Sequence, residues 1–154
     1  MSPRSRATRG PQPLCFERVM TEIEKAYIAG LFDGEGTAGI FSYKATKNGK
    51  RYLRVAARIA NTDRRCLDYV KECYGGGNVF LANRGGKPNR KVDCYSFQVQ
   101  NANAIDFLKQ IQPYLRIKCN VVQLILGQKH TGPAPDDFIF RQPDKLALNL
   151  LTIQ

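Results

Sequence analysis

A capping-box pair, Thr21 and Glu24, predicts that a helix starts at Thr21 and runs through IEKAYIAGLFDG. Gly34 and Gly36 are expected to end it, since paired glycines weaken a helix and supply a left-handed exit. The period then changes from helical to alternating. TAGIFSYK, a Lys/Gly-rich turn and YLRVAARIA predict two antiparallel strands, with Leu53, Val55, Ala57 and Ile59 sharing one face. Asn61, Thr62 and Asp63 offer cap chemistry for a helix through RRCLDYVKECY, which Gly75, Gly76 and Gly77 end. A second hairpin follows as NVFLANR, a GGKPN turn and DCYSFQVQ. Asn101 or Asn103 can cap a helix through AIDFLKQI, Pro113 interrupts, and RIKCNVVQLILGQK resumes helical spacing. A Pro-rich linker and a last short helix near residues 143 to 152 complete the plan. The pattern is αββαββα, an α+β fold with a four-stranded antiparallel sheet and its helices on one face.

Composition adds a partner. The 154 residues carry 24 Lys+Arg and 13 Asp+Glu, a formal charge of +11. Between Lys44 and Lys91 thirteen Lys/Arg face three acids, so nearly all of that charge belongs to the four strands, their turns and the intervening helix. Solubility needs no such asymmetry, and a nucleic-acid partner is expected. At 43% hydrophobic residues the chain is too apolar for wholesale disorder, and its length fits one domain. Residues 1–15, rich in Arg, Pro and Ser, read as a flexible basic arm with a faint likeness to an organellar transit peptide, and 16–154 as the folded domain. No apolar run approaches the roughly 18 residues of a membrane span, and no cleavable leader opens the chain, so no membrane partner is expected. Cys15, Cys66, Cys73, Cys94 and Cys119 form no Cys-x-x-Cys pair and read as free thiols of a reducing, intracellular compartment. His130 has no cysteines at zinc-site spacing.

The first helix carries candidate chemistry. Ala26, Gly30 and Gly34 recur every fourth residue and lay small side chains along one face, where another helix could approach closely. Asp33 and Glu35 sit at the negative end of the helix dipole, where each is either solvated without measurable effect or compensated by something cationic.

IAGLFDGEG, Ile28 to Gly36, resembles the nine-residue signature of the LAGLIDADG homing endonucleases, and QIQPYLRIK, Gln110 to Lys118, resembles the segment of that family that carries a catalytic-centre lysine. The resemblance runs from about residue 21 to about 130. It implies the LAGLIDADG-type fold, in which two motif helices pack side by side and each delivers its last acid to a shared metal centre. Here that acid is Glu35, where most members carry Asp; Gly34 joins it at the metal, and Asp33 matches the other motif acid, chiefly structural at the helix end. Lys118 matches the lysine beside the scissile phosphate; without the resemblance it is an ordinary lysine at a helix start. Asn61, Arg64 and Arg65 lie where the family often places a solvent-organising residue, within one position of register, and Asn61 and Arg65 are taken as that pair. A single motif implies a homodimer, built through Ala26, Gly30, Asp33 and Gly34. Mg²⁺ is the implied cofactor, with Mn²⁺ or Ca²⁺ able to occupy the same oxygen site.

Strand alternation then assigns the DNA-facing residues. If Leu53, Val55, Ala57 and Ile59 face the helices, Tyr52, Arg54, Ala56 and Arg58 face away, the two arginines suiting guanine edges. The same rule places Thr37, Gly39, Phe41 and Tyr43, then Asn78, Phe80, Ala82 and Arg84, then Cys94, Ser96 and Gln98 on that face. Phe41 and Phe80 either touch thymine methyls or mark a bulge that reverses the register. Lys47, Lys50 and Lys87 of the turns suit phosphates. The expected function is a site-specific double-strand DNA endonuclease, encoded in an intron, that hydrolyses phosphodiesters with a bound metal at a long quasi-palindromic target. It belongs in the cytoplasm or nucleoid of a prokaryote or in an organelle. The alternatives are a maturase that binds its own intron RNA and a non-catalytic DNA-binding regulator on the same scaffold.

Overall fold

The computed structural model describes residues 19–128 and 132–134; the basic arm, the helix expected near 143 to 152, Cys15 and His130 lie outside the described residues. In chain order the elements are α1 (Glu22–Glu35), β1 (Gly36–Lys44), β2 (Arg51–Asn61), α2 (Arg64–Tyr74), β3 (Asn78–Asn83), β4 (Cys94–Gln100), α3 (Asn101–Ile111), a 3-10 turn (Gln112–Tyr114) and α4 (Cys119–Gly127). The expected order of helices and strands is present throughout this span. Among the described residues no helix is long and apolar enough to cross a membrane.

The capping box at Thr21 forms as the spacing predicts: the Glu24 N–H donates to Thr21 Oγ1 at 3.2 Å, and the Thr21 N–H donates to the Glu24 carboxylate at 2.8 Å. The other end of α1 departs from expectation. Gly34 is helical, and Gly36 leaves through an extended conformation, φ −87° and ψ 153°, without a left-handed exit. Glycine is required there for space. A Cβ on Gly36 would stand 2.3 Å from Phe32 Cδ2 and 2.5 Å from the Phe32 carbonyl oxygen. Gly36→Ala is therefore expected to lower stability by about 1–3 kcal/mol, the usual range for overpacking, read as a shifted urea midpoint.

The sheet order is β1-β2-β4-β3, antiparallel throughout. Residues paired directly across strands share a face, so the inner face is set by Ala57↔Val99 and Ile59↔Phe97, and all four are buried. These residues and Val55 join Ile28, Phe32, Leu67, Val70, Phe107, Leu108 and Val122 in one core, which places the helices on that single face. Phe107 of α3 ties the layers together, its ring 5.2 Å from Tyr74, 5.6 Å from Phe97 and 6.4 Å from Phe32.

α2 is capped by Asp63, whose carboxylate accepts from the Arg65 N–H at 2.9 Å, and it ends at Gly75 in the left-handed region, φ 77°. α3 is not capped by Asn101 or Asn103. Gln100 is its N-cap with no side-chain bond, and Asn101 is the first helical residue, at φ 54°. β4 covers β2 only from Ala56 to Asn61. Beside the remaining stretch, Gly132 accepts from the Leu53 N–H and Ala134 donates to the Arg51 carbonyl, both at 2.9 Å. The four described cysteines are free.

Candidate functional site

The C-terminal end of α1 is held by a two-way clamp. The Asp33 carboxylate accepts backbone N–H groups from Arg116 at 2.8 Å, Ile117 at 3.2 Å and Lys118 at 2.9 Å. In return, Lys118 Nζ donates to the Phe32 carbonyl at 2.9 Å and to the Gly36 carbonyl, two acceptors at the end of α1. The compensating cation that the helix dipole calls for is thus Lys118, supported by three amides. Burial alone would raise the Asp33 carboxyl, but the amides of Arg116, Lys118 and Ile117, together with the Lys118 charge, hold it below its ordinary 3.8. Burial pushes Lys118 below the usual lysine range, opposed by the negative charges of Asp33 and Glu35.

Because the folded value of Asp33 lies below the unfolded one, its stabilising contribution is complete above pH 3.8 and is lost as pH falls through the folded value. In Asp33→Asn, stability should fall less steeply over that acid range than in the unmodified chain, as denaturant titrations at successive pH values will read.

Glu35, one turn position from the clamp, is exposed, and no hydrogen bond or ion pair to a described residue holds it. β1 opens at Gly36 opposite Ile59, so Asn61 at the end of β2 lies at the same end of the sheet. The Asn61 side-chain oxygen accepts the Asp63 N–H at 2.8 Å, and Arg65 forks onto Asp63 at 2.7 Å. That fork, with the Arg65 amide, pulls the Asp63 carboxyl down to about 2. Glu35, Lys118 and Asn61 are therefore gathered at one end of the molecule, while Arg65 is tied to its neighbouring acid.

The sheet face away from the helices carries the row expected from alternation. Thr37↔Arg58, Gly39↔Ala56, Phe41↔Arg54 and Tyr43↔Tyr52 pair across β1 and β2, and Gln98 lies between Arg58 and Asn78. Phe41 is accommodated because its ring folds over Gly39, where a Cβ would meet Phe41 Cζ at 3.0 Å. The Arg54 guanidinium stacks 4.4 Å above Tyr43, and its Nε is enclosed without a hydrogen-bond partner among the described residues. Phe80 keeps its predicted face, with the Arg58 guanidinium 6.0 Å from its ring.

Two places differ from simple alternation. Ser96 is in the row but fully buried, its hydroxyl donating to the Ile59 carbonyl at 3.5 Å, so it offers no open surface. A bulge between Leu81 and Asn83 puts Asn83 opposite Cys94, so beyond Phe80 the outer position passes from Ala82 to Asn83, and Arg84 lies past the end of the strand. Asn83 and Gln100, the latter opposite Ala56, are outer-face residues the sequence reading missed. Continuing the period of two along β4 would have found Gln100; a bulge has no such signal.

Lys47 and Lys50 sit exposed in the β1–β2 turn, and Lys87 in the β3–β4 turn. Since β4 runs antiparallel to β2 and pairs with its distal half, these two basic turns lie at opposite ends of the sheet. At about 3.4 Å per residue, an eleven-residue β2 spans roughly one turn of duplex.

One side of α1 has no partner among the described residues. Ala26, Gly30 and Gly34 are exposed, and a Cβ on either glycine would meet nothing within 4 Å. Ile23, 83% exposed, and Tyr27, 47% exposed with its ring edge-on to Tyr69 at 5.6 Å, flank that strip. Asp33, by contrast, turns its carboxylate to the clamp and away from this strip's role as an open surface.

Among the described residues no group of three His, Cys, Asp or Glu side chains is placed to hold a metal. The donors at the α1 end are oxygens, the Glu35 carboxylate and backbone carbonyls, which suit a hard divalent cation whose remaining ligands come from outside the chain.

No protein-family model and no curated protein matches the chain. Solved structures do. The homing endonuclease I-CvuI, crystallised with an I-CreI target and magnesium and with the DNA not cleaved, superposes with a TM-score of 0.58 at 22% identity, over 68% of this chain and 64% of that one. The archaeal intron-encoded homing endonuclease I-Vdi141I, complexed with DNA, gives 0.51 at 22% identity over 66% and 64%. The LAGLIDADG meganuclease I-CpaMI, bound to uncleaved DNA, gives 0.52 at 14% identity over 67% and 37%. The chain thus spans 64% of the length of the first two. These likenesses establish the fold.

Proposed function

From its LAGLIDADG homing endonuclease fold, we propose that this chain is a site-specific double-strand DNA endonuclease that works as a homodimer on a long quasi-palindromic target. The observation that carries the reading is an exposed Glu35, its charge acting on Lys118, at the end of a sheet face that no described helix covers and that bears Arg54 and Arg58. The strip on α1 that no described residue covers supports a second copy there: a two-fold axis through it brings two Glu35 side chains together. Such a pair of like charges favours a cation between them.

Glu35 and the Gly34 carbonyl would hold Mg²⁺, with Mn²⁺ or Ca²⁺ able to take the same oxygens. When bound, the metal supplies an activated water and neutralises the leaving 3′ oxygen. Lys118 has three donors, two of them spent on the α1 carbonyls, and directs the third to a phosphate oxygen or water. Asn61, held through its oxygen by the Asp63 amide, keeps its amide N–H groups for ordering solvent. Arg54 and Arg58 read base edges, and the lysines of the two turns grip phosphates at either end of each half-site.

A selection from randomised DNA duplexes, followed by incubation of a supercoiled plasmid carrying the enriched site with and without Mg²⁺, tests the reading. Linear product only with the metal supports it. Binding without cleavage would leave a DNA-binding regulator, and preference for structured RNA a maturase. Lys50→Ala should weaken binding to every duplex alike and lower the slope of log affinity against log salt by about one unit, because one counterion fewer is released.

A further inference from the structure

Arg58 of β2 and Gln98 of β4 are directly opposite each other, and the Arg58 guanidinium donates to Gln98 Oε1 at 3.2 Å. The bond fixes which way the amide points. Arginine has donors only, so the carbonyl oxygen must be the atom turned toward Arg58, and the NH₂ group is turned away. That orientation has a consequence for base reading. Glutamine recognises adenine by using both ends of its amide at once, accepting from N6 and donating to N7. The Arg58 bond occupies one of the two lone pairs of the Gln98 carbonyl and fixes the amide plane, so Arg58 decides how the remaining lone pair and the NH₂ group meet a base. The pair is also laterally confined. Thr37 flanks Arg58, Asn78 flanks Gln98, and the Phe80 ring lies 6.0 Å from the guanidinium. Side chains opposite each other in a sheet are about 5 Å apart, so the two address the same or adjacent base pairs.

We propose that Arg58 and Gln98 form one coupled specificity-determining unit, in which Arg58 reads guanine while its bond to the Gln98 carbonyl sets the orientation of that amide, so that the base Gln98 prefers depends on Arg58. This rests on the DNA-reading role proposed above. Gln98 is in turn a positioning residue for Arg58, because its carbonyl fixes the plane of the guanidinium fork.

Selections from a randomised duplex pool with the unmodified protein, Arg58→Ala, Gln98→Ala, Gln98→Glu and the double alanine variant test the coupling. The unmodified chain should enrich guanine at the Arg58 position and a second defined base beside it. Arg58→Ala should lose that guanine and also change the preference at the neighbouring position by at least about fivefold, the lower end of what one bidentate pair discriminates. Gln98→Ala should blunt the guanine preference. Gln98→Glu should restore it, since a carboxylate is the stronger acceptor for Arg58, while shifting the neighbouring position toward cytosine. Profiles in which each substitution alters only its own position, with the double variant the product of the singles, would overturn the coupling while leaving DNA recognition intact. If the unmodified protein enriches no sequence, the DNA-reading role falls, and the coupling with it.

Discussion

Glu35→Gln should abolish divalent-cation-dependent cleavage of the selected site, with no linear product in a plasmid assay, while site binding stays within about tenfold, or roughly 1.4 kcal/mol. The substitution keeps the shape of the side chain and removes its charge, and a neutral amide is a poor ligand for a hard cation. Loss of fold is not a competing explanation. Glu35 is exposed and makes no hydrogen bond to a described residue, and its unfavourable place at the negative end of the helix is offset by the nearby Lys118 charge, so neutralising it should leave thermal stability nearly unchanged. Full cleavage by Glu35→Gln would remove this carboxylate from the mechanism.

Gly30→Leu should separate the two copies. Within one copy the new side chain meets no described residue, since a Cβ at Gly30 has none within 4 Å, and leucine is the better helix former. The variant should therefore fold as well as the unmodified protein and sediment as a monomer, because four added carbons hold two α1 helices beyond the close approach that Ala26, Gly30 and Gly34 permit. Affinity for a two-half-site target should fall by at least about 100-fold through lost avidity, with affinity for one half-site unchanged. If the unmodified protein sediments as a monomer on its DNA, the two-copy arrangement is wrong.

The elements were legible because local rules govern them. The Thr21 and Glu24 spacing, the period-two run from Leu53 to Ile59 and the glycines after α2 each act within a few residues, and each sits where its own chemistry puts it. What was not legible depends on distant partners. Gly36 gave a correct helix end for the wrong reason, since the requirement comes from the Phe32 ring and carbonyl and not from a positive φ. The awkwardness of Phe41 vanished once Gly39 was seen beneath its ring. The bulge near Ala82 shifts one strand against another, which no single-strand pattern encodes. At the candidate site, Glu35 and Lys118 were found by likeness to a motif, yet that Lys118 also caps α1 follows only from a contact across 86 positions.

That long-range clamp has a consequence for the order in which the molecule becomes competent. Thr21 starts α1 from local information, but its far end is finished by Arg116, Ile117 and Lys118, more than eighty residues later. During synthesis the helix bearing Glu35 can form early, whereas the surroundings that fix its last turn arrive only some eighty residues later. A product released before residue 116 would carry the whole sheet and its arginines without the three amides that seat Asp33. Under the function proposed above, such a fragment would meet a polyanion through its basic strands while still lacking an ordered acidic tip, and so would bind before it is equipped to cut.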